Sequence, residues 1–524
     1  MASLPDYLAA AKPVPMSDRA PWYKNTAQTY AGIMLWFVFW QDIVSGSGSP
    51  GGSLASGLAV ALGGLLLAAL FCHFLTYLVP GLLGMKTGLP LYVVGTSTYG
   101  VQGGFIMPGF LMGALQFGWL AVNAFFSCWA ICKCFDIGTN DFGEVIVPGP
   151  IHGGMSIVFI LLAVCVGLKG IQYVARVATF VPLIPLAVLL LLLVKTIGGI
   201  GGIGEVDWEK TAADAVVFKT AAVAEANSEV EAAADDKEKA KAENKLESAK
   251  GALEAAQGIQ AKDPLKTCST FLFLSLYVVG FFATAGAAGA DFGMNNRNAS
   301  DVQWGGLVGI VGATFFAGAV GILVIAGAYG GGMVSPENMG ELNPVKLMGD
   351  SLILGQANAN WVLLALAISS FAPACFPAFI AANSFRTTMP NISPWITVGL
   401  GTLVAIALAF TGVAGQAVAV FMVVGASFGP ICGAMTADYL LSGCKWNGPR
   451  AAFNPAGWIS WAVGFAVGSV DLLAANVPGL SGLAVGIYCP PMAALIVGFG
   501  LYVILAKLGL ESKTLEMPET ASAE

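Results

Sequence analysis

The sequence has few charged residues. Asp, Glu, Lys and Arg make up 10 % of the 524 residues, whereas apolar residues make up 56 %. Soluble domains carry about 25 % charged residues, so this composition excludes an ordinary soluble protein. Apolar runs of roughly 20 residues, long enough to cross a bilayer as a helix, recur along the chain and predict an all-α integral membrane protein. The weaker alternating segments of a membrane β-barrel are missing.

The sequence also lacks a cluster of metal-binding residues. It has two histidines, His73 and His152, which lie far apart. Among ten cysteines, Cys132 and Cys134 come closest together, without a histidine nearby. This scatter predicts no metal site and no cofactor, with the cysteines as small apolar packing residues. An intramembrane enzyme would need clustered His, Asp or Glu at mid-depth, so the sequence predicts that the protein is not an enzyme.

Lys and Arg are unevenly distributed between the segments that join the apolar runs. If the N-terminus is cytoplasmic, twelve fall on inside segments and three, Lys133, Lys195 and Lys346, on outside segments. This excess is typical of inside loops and predicts cytoplasmic termini in the inner (plasma) membrane. The first 28 residues are polar and Pro-rich, unlike a signal peptide. The twelve inside residues are Lys12, Arg19, Lys24, Lys86, Lys169, Arg176, Arg297, Arg386, Lys445, Arg450, Lys507 and Lys513.

Twelve spanning helices are predicted, the first ten as two groups of five. Polar or small residues interrupt the opening helix of each group, in WQDIVSGSGSPGG after helix 1 and in GFFATAGAAGADF within helix 6. Interrupted helices at matching positions of an inverted repeat point to the central site of a transporter. The predicted helices lie near 27–45, 55–83, 99–130, 150–169, 172–197, 268–290, 303–329, 354–383, 393–412, 415–441, 456–474 and 484–508. The predicted division is a tail (1–26), a first repeat (27–204), an insert (205–265), a second repeat (266–441), two additional helices (442–510) and a second tail (511–524).

Segment 205–265 differs from the rest of the chain. It is rich in Ala, Glu and Lys, with many charged pairs at helical spacing. It is predicted to be a solvated helix or helical hairpin on the extracytoplasmic side. Two roles are open, a passive insertion or a docking site for a partner. The net charge of −7 is concentrated here, so it does not indicate a nucleic-acid partner.

One stretch of helix 3, GALQFGWLAVNAF (113–125), combines an amide with an indole. Gln116 and Trp119 are three residues apart, which places them on one helix face. An interhelical hydrogen bond and ordinary packing would explain each residue separately. Together they suit a flat, polar, neutral ligand, because the indole can stack on its face while the amide bonds to its edge.

Other polar residues in the apolar runs are candidates for ion binding or gating. Asp42 lies within helix 1, as a proton-binding group or as a solvated carboxylate near the outer end. Ser369 and Ser370 of helix 8 can bind a cation or bond back to their own helix. Asp291 and Asp438 fall at the cytoplasmic ends of helices 6 and 10, where a gating or structural pairing role is expected.

Three stretches resemble the nucleobase:cation symporter family, and within it the cytosine permease branch. They are GMKTGLPLYVVGTSTYGVQGGFIMPGFLMGALQFGWLAVNAF (84–125), VVGFFATAGAAGADFGMNNRN (278–298) and GASFGPICGAMTADYLL (425–441). The resemblance covers about residues 20–508 apart from the insert. It implies a leucine-transporter type of fold, with a 5+5 inverted repeat plus two helices, and alternating-access import of a cytosine-like heterocycle together with a cation.

The resemblance also implies a set of substrate-binding residues. Trp119 and Phe282 would enclose a base between them, and Gln116 would bond to its edge. Thr284 and Trp40 correspond to the family's helix 6 hydroxyl and helix 1 aromatic.

A sodium site would lie between helices 1 and 8. Backbone carbonyls near Trp36 and Phe39 and the hydroxyls of Ser369 and Ser370 would supply its oxygens. The following residues, FAPACF, depart from the Asn expected in sodium-coupled members, so Na⁺ and H⁺ are both open as coupling ions. The alternatives are a proton-coupled carrier of a purine, hydantoin, allantoin or thiamin precursor, and a membrane receptor that uses the insert.

Overall fold

The computed structural model describes residues 4–9, 11–139, 145–169, 180–389, 391–487 and 489–517. Within these ranges the chain is helical and forms no β-strand beyond isolated bridges. Ten helices in the described part of the chain are long and apolar enough to cross a membrane, so the protein is a multi-pass membrane protein. Two further segments complete the predicted twelve, a shorter apolar helix and a broken first helix. Residues 172–179 of predicted helix 5 lie outside the described ranges.

The twelve membrane helices are numbered in chain order. They are α1 in two halves (Thr26–Met34 and Phe37–Ser45), α2 (Leu58–Thr87), α3 (Phe105–Phe135), α4 (Pro150–Lys169), α5 (Leu183–Glu205), α6 (Thr267–Ala287), α7 (Ala299–Gly330), α8 (Gln356–Arg386), α9 (Pro394–Phe410), α10 (Ala417–Leu441), α11 (Pro455–Asn476) and α12 (Pro490–Lys507).

The first helix of each five is interrupted. The two halves of α1 are separated by Leu35 and Trp36, and α6 stops at Ala287 before a short helix, Gly289–Gly293. The α6 interruption falls in the predicted Gly/Ala stretch. The α1 interruption does not fall in the polar stretch after Trp40, because that stretch forms the end of the helix and the following loop. The break in α1 contains neither Gly nor Pro and is stabilised by contacts with α6.

The second helix of each five also shares features. A π-helical turn interrupts α2 at Cys72–Tyr77 and α7 at Leu307–Gly312. Short helices follow both, Leu91–Val94 and Thr96–Tyr99 after α2 and Pro344–Leu347 after α7. These recurrences support two repeats of five helices.

The N-terminal segment lies on the same side as the α2–α3 connection, where Tyr7 Oη donates to the Val101 carbonyl at 2.5 Å. We call this the terminal side and the opposite one the insert side. There, residues 207–260 form a hairpin of two 25-residue helices, Trp208–Ala232 and Asp236–Gln260. The carboxylates of Asp207 and Asp235 cap their N-termini, accepting from the Lys210 and Glu238 backbone N–H groups.

The hairpin rests on the membrane helices through one face of its first helix. Trp208 packs against Tyr329 at the end of α7, with ring centroids 5.1 Å apart, and covers Gly51 of the α1–α2 loop. Further along, Lys219 Nζ donates to the Glu337 carbonyl at 2.8 Å. The insert is therefore in contact with the α7–α8 connection.

The last part of α5 is a nine-residue 3₁₀ helix, Ile197–Glu205, with the sequence IGGIGGIGE. A 3₁₀ helix has three residues per turn, so Gly199 and Gly202 lie on one edge. That edge packs directly on the α7 backbone, because a Cβ at Gly199 would lie 2.1 Å from the Gly327 carbonyl oxygen and one at Gly202 would lie 2.2 Å from that of Gly330. Small residues permit this close helix contact.

The α7–α8 connection is ordered around Asp350, which is 1 % exposed. Its carboxylate accepts from the Ser335 backbone N–H at 2.9 Å, Ser335 Oγ at 2.8 Å, Asn338 Nδ2 at 3.1 Å and the Leu352 N–H at 3.0 Å. Burial alone would raise the pKa of Asp350, but these hydrogen bonds outweigh it and lower the pKa. The same connection closes the insert side, where Asn343 Nδ2 donates to Gln41 Oε1 of α1 at 3.2 Å.

Replacing Asp350 tests this role. Asp350→Asn is expected to lower the free energy of unfolding at pH 7 by ~1–3 kcal/mol, since hydrogen bonds to a buried carboxylate are lost. A lowered pKa stabilises the fold above the ordinary Asp pKa, and this contribution disappears as the carboxylate is protonated. Thermal unfolding of the purified protein should therefore show a difference from wild type that shrinks below about pH 4. Exposed Asp263→Asn is the control, and an effect independent of pH would contradict the assignment.

Candidate functional site

A cavity of about 70 Å³ lies beside the break in α1, between α1, α3, α6 and α8. Its lining is mostly apolar and aromatic, with a few polar side chains. The lining residues are Tyr30, Ile33, Met34, Trp36, Met112, Gln116, Trp119, Asn123, Phe281, Thr284, Ala285, Ala288, Phe292, Pro373, Phe376, Pro377 and Ile380.

The helix 3 pair lies in this cavity. Gln116 and Trp119 both line it from α3 and are 5 % and 9 % exposed. Gln116 Nε2 approaches the Met112 sulfur, a weak acceptor, at 3.5 Å. Thr284 of α6 lines the same cavity. The structure thus brings three of the five predicted substrate-binding residues together.

The other two predicted residues lie behind the cavity wall. Phe281 rather than Phe282 lines the cavity, and its ring stands edge-on to Trp119, with centroids 4.6 Å apart and an interplanar angle of 85°. Phe282 is fully buried outside the lining. Trp40 is also fully buried, with its Cβ close to Gly321 of α7. The aromatic side chains that α1 contributes to the cavity are Tyr30 and Trp36.

Several buried polar atoms at the cavity have no hydrogen-bond partner within the described residues. They are the indole Nε1 atoms of Trp36 and Trp119 and the amide oxygen of Asn123. Asn123 Nδ2 donates to the Trp119 carbonyl at 3.4 Å, which leaves the amide oxygen as the unpaired atom. Unpaired polar atoms are costly in an apolar interior, so a ligand that reached these three atoms would gain hydrogen bonds there.

Sequence reasoning missed Asn123 as a cavity residue. It lies four residues after Trp119 and therefore shares the face that carries Gln116 and Trp119. This spacing was the available signal. The aromatic contribution of Trp36 had no comparable signal, because it depends on the break in α1.

The backbone oxygens predicted for a cation site all have partners in this conformation. The Trp36 carbonyl accepts from the Phe39 N–H at 3.0 Å. The Phe39 carbonyl accepts from Tyr277 Oη at 2.8 Å, and the Val38 carbonyl accepts from the same hydroxyl at 3.1 Å. A carbonyl oxygen has two lone pairs, so the Trp36 carbonyl keeps one acceptor position. Val38 and Phe39 lie inside the helix Phe37–Ser45, where a helical N–H and the Tyr277 hydroxyl already occupy both positions of each carbonyl.

The two serines of α8 lie at a local break, between Gln356–Ser369 and Phe371–Thr388. Ser369 Oγ donates to the Leu366 carbonyl at 2.7 Å, and Ser370 Oγ donates to the Ala367 carbonyl at 2.7 Å. Ser370 also forms a short contact with Ser127 Oγ of α3. Both hydroxyls thus bond back to their own helix, and Ser370 faces α3.

Asp42 lies away from the cavity, on the insert-side half of α1. Ser45 Oγ is 3.5 Å from its carboxylate, and the adjacent Gln41 contacts the α7–α8 connection. Within the described part of the chain, no three His, Cys, Asp or Glu side chains come together as metal ligands.

A larger vestibule lies on the terminal side, and its lining shares Met112, Phe292 and Phe376 with that of the cavity. The cavity therefore continues towards this side. Asp291 lies in the vestibule wall and accepts from the Leu91 backbone N–H at 2.9 Å, which joins the end of α6 to the α2–α3 connection. Burial raises the pKa of Asp291 to about 6, partly offset by this hydrogen bond.

Asp438 belongs to a separate buried network on the terminal side. Its carboxylate accepts from Arg450 Nη1 at 2.8 Å and from Thr98 Oγ1 at 3.0 Å, and also from Ser97 Oγ. Arg450, 2 % exposed, also donates to Glu511 at 2.7 Å. The network joins α10, the α2–α3 connection and the segment after α12, and it lies outside the cavity lining.

We expect Asp438→Asn to lower the free energy of unfolding by ~3–5 kcal/mol, because it leaves the buried Arg450 charge poorly compensated. Glu511→Gln is the matched control. Its carboxylate is partly exposed, so its loss should cost less. Thermal unfolding of both purified variants measures the difference, and equal effects would contradict the role given to Asp438.

Neither a protein-family model nor a curated protein matches the chain. Solved structures do match. The inward-facing conformation of Mhp1 is 13 % identical, with 96 % of this chain and 95 % of that chain covered and a TM-score of 0.61. Mhp1, a nucleobase-cation-symport-1 family transporter, in a closed conformation with bromovinylhydantoin bound is 14 % identical, with 98 % of each chain covered and a TM-score of 0.55. The predicted all-α fold of the leucine-transporter type is confirmed.

Proposed function

We propose that the protein is a secondary active transporter that imports a nucleobase or related heterocycle by cation symport with alternating access. One observation carries this proposal. Two indole N–H groups and an amide oxygen lie buried and unpaired, within the described residues, around an aromatic cavity. Similar structures were solved for a transporter of this kind, one of them with a hydantoin bound.

The lining supplies what a flat heterocycle needs. Trp36, Trp119 and Phe281 offer apolar ring surfaces for stacking. Gln116 can donate and accept, the indoles only donate, and the Asn123 oxygen only accepts. A ligand that bonds to all of them carries both N–H donors and carbonyl or ring-nitrogen acceptors, as a cytosine-like base does.

The open and closed ends of the cavity suit one conformation of an alternating-access cycle. The cavity continues into the terminal-side vestibule, whereas the Gln41–Asn343 hydrogen bond closes the insert side. We place both termini in the cytoplasm and the protein in the inner (plasma) membrane, since Lys and Arg favour the terminal side. The conformation is then inward-facing, with 27–204 and 266–441 as its two repeats.

The coupling ion is Na⁺ in our first proposal and H⁺ in the second. For Na⁺, the carbonyls of Trp36 and Phe39 and the hydroxyls of Ser369 and Ser370 would supply oxygens. For H⁺, the half-buried Asp42 carboxylate of α1 would bind the proton.

Two other functions give different results in one assay. A proton-coupled carrier of a purine, hydantoin, allantoin or thiamin precursor would accumulate that compound in proteoliposomes and exclude cytosine. A receptor that uses the 205–265 insert would accumulate none of them.

Trp119→Ala and Gln116→Ala should abolish uptake of the labelled heterocycle while expression stays near wild type. Loss of a stacking surface costs about 1–3 kcal/mol per base, or roughly a 5- to 150-fold weaker affinity. Binding to purified protein and uptake into proteoliposomes measure the effect. Near-normal uptake by both variants would remove the proposed site.

A pair of neighbouring phenylalanines provides an internal control. Phe281→Leu should weaken binding because Phe281 lines the cavity. Phe282→Leu should leave the affinity unchanged, although both substitutions remove a similar amount of buried packing. Weaker binding by Phe282→Leu and unchanged binding by Phe281→Leu would show that the base contacts Phe282, as the family resemblance implies.

The coupling ion is decided by transport in defined gradients. If Na⁺ is used, Ser369→Ala or Ser370→Ala should raise the Na⁺ concentration for half-maximal uptake. If H⁺ is used, uptake should persist without Na⁺, collapse with a protonophore and be lost in Asp42→Asn. Full uptake in choline buffer driven by an inward pH gradient would overturn the first proposal.

A further inference from the structure

Two tyrosines connect the interrupted helices at the cavity in a reciprocal way. Tyr277 of α6 donates its hydroxyl to the carbonyls of Val38 and Phe39, just after the break in α1. Tyr30 of α1 donates its hydroxyl to the carbonyl of Ala285 at 2.7 Å, just before the break in α6. Each broken helix therefore receives a hydrogen bond from a tyrosine of the other.

The two tyrosines bond to different kinds of carbonyl group. The Ala285 carbonyl lies in the last turn of α6, where carbonyls lack their usual N–H partners and hydrocarbon cannot replace those partners. Val38 and Phe39 lie in the first turn of the helix Phe37–Ser45, so Tyr277 adds a second hydrogen bond to carbonyls that the helix itself already pairs. Tyr277 and Tyr30 are 2 % and 0 % exposed, so water does not compete for their hydroxyls. Two consecutive carbonyls that share the Tyr277 hydroxyl are fixed in direction relative to α6.

The residues next to these bonds form the cavity. Trp36 precedes the Val38–Phe39 pair by two residues, and Thr284 precedes Ala285 directly. Both Trp36 and Thr284 line the cavity, as does Tyr30 itself. The Tyr277 ring also packs on that of Phe39, with centroids 5.7 Å apart. The ring contacts stabilise the fold, whereas the hydroxyls orient the backbone beside the cavity.

We propose that Tyr30 and Tyr277 are positioning residues, which through their hydroxyls hold the broken segments of α6 and α1 in the geometry that the cavity requires. The identity of the cavity as the substrate site rests on the proposed function. The hydrogen bonds that the two tyrosines donate across the helices do not depend on that identity.

Hydrogen–deuterium exchange of the full-length protein tests the cross-helix pattern without a ligand. Tyr277→Phe should speed exchange in α1 peptides over 34–40, and Tyr30→Phe should speed it in α6 peptides over 283–289. The expected change is roughly 2- to 12-fold, the effect of losing one hydrogen bond. Tyr329→Phe is the matched control, because its hydroxyl bonds to the Glu341 carbonyl at 2.9 Å, away from the cavity.

Binding of labelled cytosine, uracil, hypoxanthine and a hydantoin is measured on the same samples. For a compound that binds wild type, both cavity variants should weaken affinity by a similar factor, while Tyr329→Phe leaves it unchanged. If no compound binds but the cross-helix exchange pattern appears, the proposed function fails and the positioning role stands. Faster exchange confined to the mutated tyrosine's own helix, or no faster exchange, overturns the positioning role. If one variant does not purify, the pattern of the other decides.

Discussion

The structure depends on one constraint, that polar backbone groups inside a membrane must be paired within the protein. Most of the chain meets it with continuous helices. α1 and α6 are interrupted beside the cavity, and Tyr277 and Tyr30 each donate a hydroxyl to a carbonyl of the other helix next to its interruption. The cavity-lining positions of Trp36 and Thr284 follow from how these two breaks are held. The same pair of helices thus contributes both to the cavity and to the buried core around it.

The two ends of the cavity are built differently. On the insert side, polar side chains and backbone meet closely, through Gln41 and Asn343 and through the ordered segment around Asp350. On the terminal side, the buried Asp438–Arg450 pair lies outside the cavity lining and ties α10 to the α2–α3 connection. The pair holds these two elements together, because separating a buried ion pair is expensive.

Much of this arrangement could be predicted from the sequence, because long apolar runs determine which segments cross the membrane. Gln116 and Trp119 could be predicted as one face because their spacing within an unbroken helix fixes their relative direction. Phe281 and Phe282 could not be distinguished, since adjacent residues on a helix point about 100° apart and the rotation of α6 is set by tertiary contacts. The α1 break at Leu35–Trp36 has no local signal, because the Tyr277 hydroxyl that bonds to Phe39, just after the break, comes from a residue 238 positions away in the chain.

The glycine-rich end of α5 affects how far the chain reaches. A 3₁₀ helix rises about 2.0 Å per residue, against 1.5 Å in an α-helix. Over the nine residues Ile197–Glu205, the extended form gains about 4–5 Å of length. The same side chains therefore carry α5 almost one α-helical turn further across the bilayer before the insert begins. The hairpin therefore begins about 4–5 Å further along the α5 axis than it would if the same nine residues were α-helical.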